Sequence, residues 1–152
     1  MIKEEYCDLF EKKSEYWLAH CISSDFALGK GIAIQFNKHF NMKNKLRTEF
    51  SPLWEGKGYC LISEGTTVFN LVTKKRYYDK PTYETLNQSL LSMKQQAELR
   101  NVTKIAMPII GCGLDKLEWE LVKIILNDIF DETGIEIIVC RNCSEKKERG
   151  LI

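Results

Sequence analysis

The chain has no surplus of charge of either sign. Its 152 residues carry 22 lysines and arginines against 21 aspartates and glutamates, a formal net charge of +1. That balance gives no basic excess of the kind that marks a nucleic-acid or anionic membrane surface. A small nucleotide stays open as a ligand, since a few local donors suffice for it. No stretch approaches the roughly 20 apolar residues of a membrane-spanning helix. The opening residues, Met1-Ile2-Lys3-Glu4-Glu5, are charged too early for a secretory signal. The expected location is intracellular, nuclear and/or cytoplasmic, and the six cysteines are expected as reduced thiols. Only two histidines occur, His20 and His39, and Cys140 and Cys143 form one Cys-x-x-Cys without a second pair. A structural zinc wants four ligands, so no metal and no cofactor are expected. No internal repeat, low-complexity block or heptad pattern is present, and the expected state is a monomer. Neither Gly-x4-Gly-Lys-Ser/Thr nor Gly-x-Gly-x-x-Gly occurs.

What is present fits one globular domain. The apolar fraction is 44%, and a chain of this length buries roughly two thirds of its unfolded surface without staples. Short apolar runs bounded by turn residues predict strands at 2–6, 16–21, 59–63, 67–73, 104–107 and 136–141. Ser63-Glu64-Gly65-Thr66 reads as a hairpin loop between two of them. Three helical stripes are visible: Ile32, Phe36 and Phe40; Leu86, Leu90, Met93 and Ala97 behind a Thr82 cap; and Leu117, Leu121, Ile124, Ile125 and Ile129, with Gly134 as the stop. A fainter helix covers 42–50. Strands separated by helices predict a three-layer α/β/α domain with right-handed parallel crossovers, and the hairpin makes the sheet mixed. Residues 143–152 read as a charged tail.

In such sheets ligands sit beyond the carboxyl ends of the strands. Two glycine loops fall there: Ser23-Ser24-Asp25-Phe26-Ala27-Leu28-Gly29-Lys30-Gly31 and Pro108-Ile109-Ile110-Gly111-Cys112-Gly113-Leu114-Asp115. The second runs strand, Gly-x-Gly turn, helix start, an order that exposes backbone N–H groups suited to phosphate. Asp115 has two readings: a helix N-cap with Glu118 as its capping-box partner, or an acid at the lip of the phosphate cradle. Lys74-Lys75-Arg76 is either a solvated basic run or the source of an amine that binds phosphate or attacks a carbonyl. His20 reads as a core histidine rather than a base. Trp17, Trp54 and Trp119 read as core aromatics, and Tyr77 and Tyr78 as loop aromatics that either stand in solvent or flank a ligand.

Leu18-Ala19-His20-Cys21-Ile22-Ser23 with Gly29-Lys30-Gly31-Ile32-Ala33 resembles the first conserved loop of the macrodomain family, and 108–115 resembles its phosphate loop. Val72-Thr73-Lys74-Lys75-Arg76 and Lys80-Pro81-Thr82-Tyr83-Glu84-Thr85-Leu86 resemble the terminal ADP-ribose protein glycohydrolase branch. The resemblance spans about 6–142, so the expected domain is a macrodomain over 1–142 with a mixed, mostly parallel sheet of about six strands. It implies hydrolysis of mono-ADP-ribose esters on protein aspartate or glutamate, and of O-acetyl-ADP-ribose, with ADP-ribose and ADP-ribosylated proteins as partners. It implies Lys74 and Asp115 as catalytic residues. The implied ADP-ribose contacts are Asp8, Leu9, Ser23, Gly29, Gly31, Ile32, Thr73, Ile109, Ile110, Gly111, Cys112, Gly113, Leu114 and Asn142. One departure stands out: Cys7-Asp8-Leu9 replaces the usual Gly-Asp-Leu beside the adenine pocket. The alternatives are a non-catalytic ADP-ribose-binding module and an ADP-ribose 1″-phosphate phosphatase.

Overall fold

The computed structural model describes residues 2–112 and 115–141. Gly113, Leu114 and Asn142, together with the charged tail and Cys143, lie outside the described residues. The strands are β1 (Ile2–Tyr6), β2 (Trp17–Ser23), β3 (Tyr59–Leu61), β4 (Val68–Lys74), β5 (Lys104–Met107) and β6 (Glu136–Arg141). The helices are α1 (Ile32–Phe40), α2 (Met42–Glu49), α3 (Tyr83–Leu99) and α4 (Trp119–Phe130), with a short 3-10 helix at Leu9–Ser14 that the sequence pattern does not announce.

The six strands form one sheet in the order β1-β6-β5-β2-β4-β3. Every neighbouring pair is parallel except β3 and β4, which form the expected hairpin. Gly65 takes a positive φ of 77° in its turn, where a Cβ would be strained. Thr66 N–H closes that turn onto the Ser63 carbonyl at 3.1 Å.

One side of the sheet is covered by α3 and α4, whose Leu86, Leu90, Met93, Val122 and Leu126 pack on Phe69, Leu71, Ile105 and Ile137. The other side is covered by the 3-10 helix, α1 and α2, through Phe10, Phe36, Met42 and Leu46 against Leu18, Val68, Val72 and Ala106. The three-layer α/β/α expectation holds. Alternation along β4 explains this two-sided burial, since successive side chains enter opposite cores.

α3 starts as expected. Thr82 Oγ1 accepts Thr85 N–H at 3.0 Å, and Thr85 Oγ1 accepts Thr82 N–H at 3.0 Å, a reciprocal capping box. α4 departs from expectation three times: it starts at Trp119, so Leu117 precedes it. Its buried face is Val122, Leu126, Ile129 and Phe130, while Leu121 and Ile124 face solvent at 43% and 56% exposure. The helix is apolar on both faces, and packing on α3 and the sheet selects the face that periodicity alone leaves undecided. It also ends at Phe130, ahead of Gly134, which sits with φ 76° in the turn to β6.

Candidate functional site

Because five strands run parallel, their carboxyl ends gather at one edge, and the loops leaving them meet there. The result is a cleft of about 1510 Å³. That exceeds the roughly 300–1,000 Å³ of a drug-sized pocket and suits an extended ligand. At one end it is walled by Cys7, Asp8 and Leu9 from the end of β1, with Cys140 and Arg141 from β6. Its middle is walled by Gly29, Gly31 and Ile32 before α1 and by 108–112 after β5. At the other end stand Lys74 and Asp115.

Most of the sequence-predicted residues therefore share one cavity: Asp8, Leu9, Ser23, Gly29, Gly31, Ile32, Lys74, Ile109, Ile110, Gly111, Cys112 and Asp115 all line it. Thr73 does not. It lies buried behind the wall at 1% exposure, and its hydroxyl makes no hydrogen bond. The reason is local. β4 pairs Val72 with Ile22 and then Lys74 with Ser23, so Thr73 is an extra residue in the ladder. An extra residue in one strand re-aims the side chains that follow. Lys74 is delivered to the cleft by that slip.

Asp115 is the second correction. It does not cap α4; Glu118 occupies the N-cap position and makes no side-chain capping bond. The Asp115 carboxylate instead accepts a hydrogen bond from Lys74 Nζ at 2.7 Å. Both side chains are about 15% exposed, at 14% and 15% respectively. An amine at the end of β4 and a carboxylate from the loop after β5, 41 residues apart, thus touch at one end of the cleft.

Beneath them lies Cys21 of β2. Burial pushes its thiol up to about 12, with the Asp115 charge adding to the effect, while the Gly111 N–H donated to Sγ and the Lys74 charge oppose it. Burial, then Asp115, likewise raises Cys112 to about 11. Both thiols are protonated near neutrality and are poor nucleophiles.

The phosphate-loop expectation rests on Gly111, whose φ of 72° lets the chain reverse after β5. The Leu117 N–H closes this turn onto the Gly111 carbonyl at 2.8 Å. Asp8 is the N-cap of the 3-10 helix, its Oδ1 accepting Phe10 N–H at 2.9 Å, and its exposed carboxylate faces the cleft end.

One residue escaped the sequence reading. Asp25 ties the first glycine loop to the segment after β4: Oδ1 accepts Ser23 Oγ at 2.5 Å and Ala27 N–H at 3.1 Å, and Oδ2 accepts Tyr77 N–H at 2.9 Å. Burial disfavours its charge, but these donors outweigh burial and hold the carboxyl below its ordinary range. Only the Asp-x-Ala turn within 23–27 was visible as a signal; the partner at Tyr77 is 52 residues away.

His20 is core, as expected. It is fully buried, stacks on Phe36 with centroids 3.7 Å apart, and bonds Asn70 Oδ1 through Nε2 at 2.7 Å. Trp17, Trp54 and Trp119 are all half-buried against the two cores. No cluster of three or more potential metal ligands occurs among the described residues. None of the described helices is long and apolar enough to cross a membrane.

A sequence model of the family described as "Macro domain" matches residues 19–126. The human protein "ADP-ribose glycohydrolase OARD1" is 42% identical over 132 residues, covering 87% of this chain and 86% of that one. Protein 032R of Invertebrate iridescent virus 6, uncharacterized, is 40% identical over 80 residues, covering 53% of this chain and 80% of that one. The macrodomain of Mycobacterium tuberculosis DarG superposes with a TM-score of 0.74 at 24% identity, over 93% of this chain and 97% of that one. Thermosipho africanus DarTG, solved in complex with ADP-ribose, gives a TM-score of 0.72 at 17% identity, over 94% of this chain and 42% of that one.

Proposed function

The chain belongs to the Macro domain family, and from that premise we propose that it hydrolyses the ester joining mono-ADP-ribose to protein glutamate or aspartate. O-acetyl-ADP-ribose is a second substrate of the same chemistry. The observation that carries the reading is the 2.7 Å contact between Lys74 Nζ and Asp115 Oδ1 in a cleft of about 1510 Å³.

The roles follow from what each group can do. Lys74 is inert while it holds three protons. The Asp115 carboxylate lies within hydrogen-bond distance and is the base that takes one. The neutral amine attacks C1″ of the distal ribose, an N–C1″ bond forms, and the protein carboxylate leaves with the electron pair of the C1″–O bond. The leaving carboxylate takes one proton from the new ammonium, the nitrogen lone pair breaks the C1″–O4″ bond, and O4″ takes the proton that Asp115 holds, which leaves a protonated imine on Lys74 and Asp115 a carboxylate again. Asp115 then takes a proton from water as the water adds to the imine carbon. Loss of the amine returns Lys74 and releases ADP-ribose. Neither step asks for a metal.

The rest of the cleft supplies binding. Backbone N–H groups at 109–112 hold the diphosphate, and Asp8 and Leu9 meet the adenine end. Ser23, Gly29, Gly31 and Ile32 line the path between. Binding far from C1″ fixes the sugar within reach of the amine, which turns a bimolecular attack into an intramolecular one. Thr73 acts through the backbone, as the extra residue that sets Lys74 in place.

The deciding experiment incubates the protein with a peptide carrying one ADP-ribosylated glutamate and follows free ADP-ribose. Lys74→Ala and Asp115→Ala are expected to lower release at least a hundredfold, the scale of removing an acid–base group. ADP-ribose affinity is expected to stay within a few-fold of wild type. Full turnover by both variants refutes the roles. Binding of ADP-ribose with no release by the wild-type protein leaves a reader module, and phosphate release from ADP-ribose 1″-phosphate alone leaves a phosphatase.

A further inference from the structure

The segment after Lys74 is unusual for a loop. Tyr77 and Tyr78 are 54% and 58% exposed, yet both are organised. Their rings meet edge to face with centroids 5.2 Å apart. Lys30 from the glycine loop before α1 sits 5.9 Å above the Tyr77 ring, and Arg76 donates to the Tyr78 hydroxyl at 3.0 Å.

The backbone beneath is latched at several points. Asp25 accepts Tyr77 N–H, Ser24 Oγ donates to the Lys75 carbonyl at 2.8 Å, and Asp79 accepts Arg76 N–H at 3.0 Å. A loop with no further task has no need of such a frame, since ordering exposed aromatics costs entropy without burying them.

Position and charge say what the frame presents. It stands on the cleft rim next to Lys74. Lys30, Lys75, Arg76 and Lys80 oppose Asp25 and Asp79, so this rim is locally cationic on a molecule whose total is only +1. Both aspartates already accept backbone N–H groups.

We propose that Lys30, Arg76, Tyr77 and Tyr78 form a docking lip for the protein segment that carries the modified carboxylate, and that the lip favours acidic flanking residues. This rests on the glycohydrolase reading. With the ester carbon at Lys74, the peptide leaving the sugar crosses 75–78 first. The tyrosine faces pack against an extended chain whatever its sequence. The cations select by charge, and as an exposed rim their effect is modest and screened by salt.

The test uses three peptides, each with one ADP-ribosylated glutamate, flanked by glutamate, serine or lysine. O-acetyl-ADP-ribose serves as the peptide-free control. The expected order of kcat/KM is acidic, then neutral, then basic, with the spread narrowing at higher salt. Arg76→Ala is expected to lower the rate on the acidic peptide about two- to fivefold, the scale of one exposed ion pair, and to leave the control unchanged. Equal rates on all three peptides overturn the proposal. So does an equal loss on the control. Binding of the three peptides to Asp115→Ala protein is measured in parallel. If the wild type cuts none of the esters, the glycohydrolase reading fails, and the lip then stands or falls on the binding order.

Discussion

Acidification should unfold this protein partly through His20. The ring is fully buried, Nδ1 has no partner, and Nε2 meets only Asn70. Burial disfavours the imidazolium and lowers the group from 6.5 to about 4, with the Asn70 bond opposing weakly. Above pH 6.5 the ring is neutral in both folded and unfolded chains, and no cost arises. Between 6.5 and 4 the unfolded chain takes up a proton that the folded chain refuses, so stability falls as the pH drops. Each unit of difference is worth about 1.4 kcal/mol. The window therefore removes roughly 3 kcal/mol, a large share of the 5–15 kcal/mol typical of a domain. Carboxylates held below their ordinary values, such as Glu4 and Asp25, add their own loss as the pH falls below 4.5 and 3.8 respectively. The measurement must therefore be a difference. Urea unfolding of wild type and His20→Gln is compared from pH 7.5 to 4.5. Wild type is expected to be the more stable at pH 7.5 and to lose about 2–3 kcal/mol relative to the variant by pH 4.5. In a carbon-13 or proton NMR titration, the His20 ring is expected to stay neutral above pH 5. A gap between wild type and variant that is constant with pH would falsify the argument.

Two further substitutions probe how the frame holds the cleft. A Cβ at Gly58 would lie 1.9 Å from the Thr85 carbonyl oxygen, a backbone atom at the start of α3. Gly58→Ala should cost about 3 kcal/mol or more, the upper end for overpacking, and lower the melting temperature by roughly 10 °C; a change under about 2 °C would mean that the β3–α3 approach is looser than described. Gly111→Ala sets a side chain at φ 72° and 3.0 Å from Leu117. The backbone term alone is about 1–2 kcal/mol, and ADP-ribose affinity should fall at least tenfold as the turn rearranges. Calorimetric titration with ADP-ribose decides that case, and unchanged affinity would remove Gly111 from the diphosphate loop.

How much of this was legible in the sequence depends on the range of the interaction. Strands β1, β5 and β6 and the Thr82 cap of α3 are set by local pattern, and the structure reproduces their bounds. The phase of α4 was not readable, because Leu121 and Ile124 are as apolar as Val122 and Leu126, and only the neighbouring layer distinguishes them. The same limit explains Asp115. Its spacing to Glu118 fits a capping box, and nothing local reports that a lysine 41 residues earlier claims the carboxylate instead. Asp25 was missed for the same reason, since its third donor comes from Tyr77.

The convergence of Lys74 and Asp115 follows from strand order. β4 and β5 are not neighbours; β2 runs between them and pairs with both. Lys74 leaves the end of β4, Asp115 comes from the loop after β5, and the two side chains meet above Cys21 of β2, whose thiol feels both charges. A regular ladder would have put Thr73 opposite Ser23, the place Lys74 now takes. Side chains alternate along a strand, so removing the extra residue would turn Lys74 toward the opposite face. The one-residue slip thus couples a buried, unpaired threonine hydroxyl to the aim of the amine. Thr73→Val tests this coupling. It removes the unpaired hydroxyl while keeping the shape, and it should leave stability unchanged or slightly higher. Because the slip is a property of the backbone, turnover should also survive. Deleting residue 73 should instead abolish turnover, while ADP-ribose still binds at the distant Asp8 end. A deletion variant that keeps its rate would show that the ladder slip does not place the lysine.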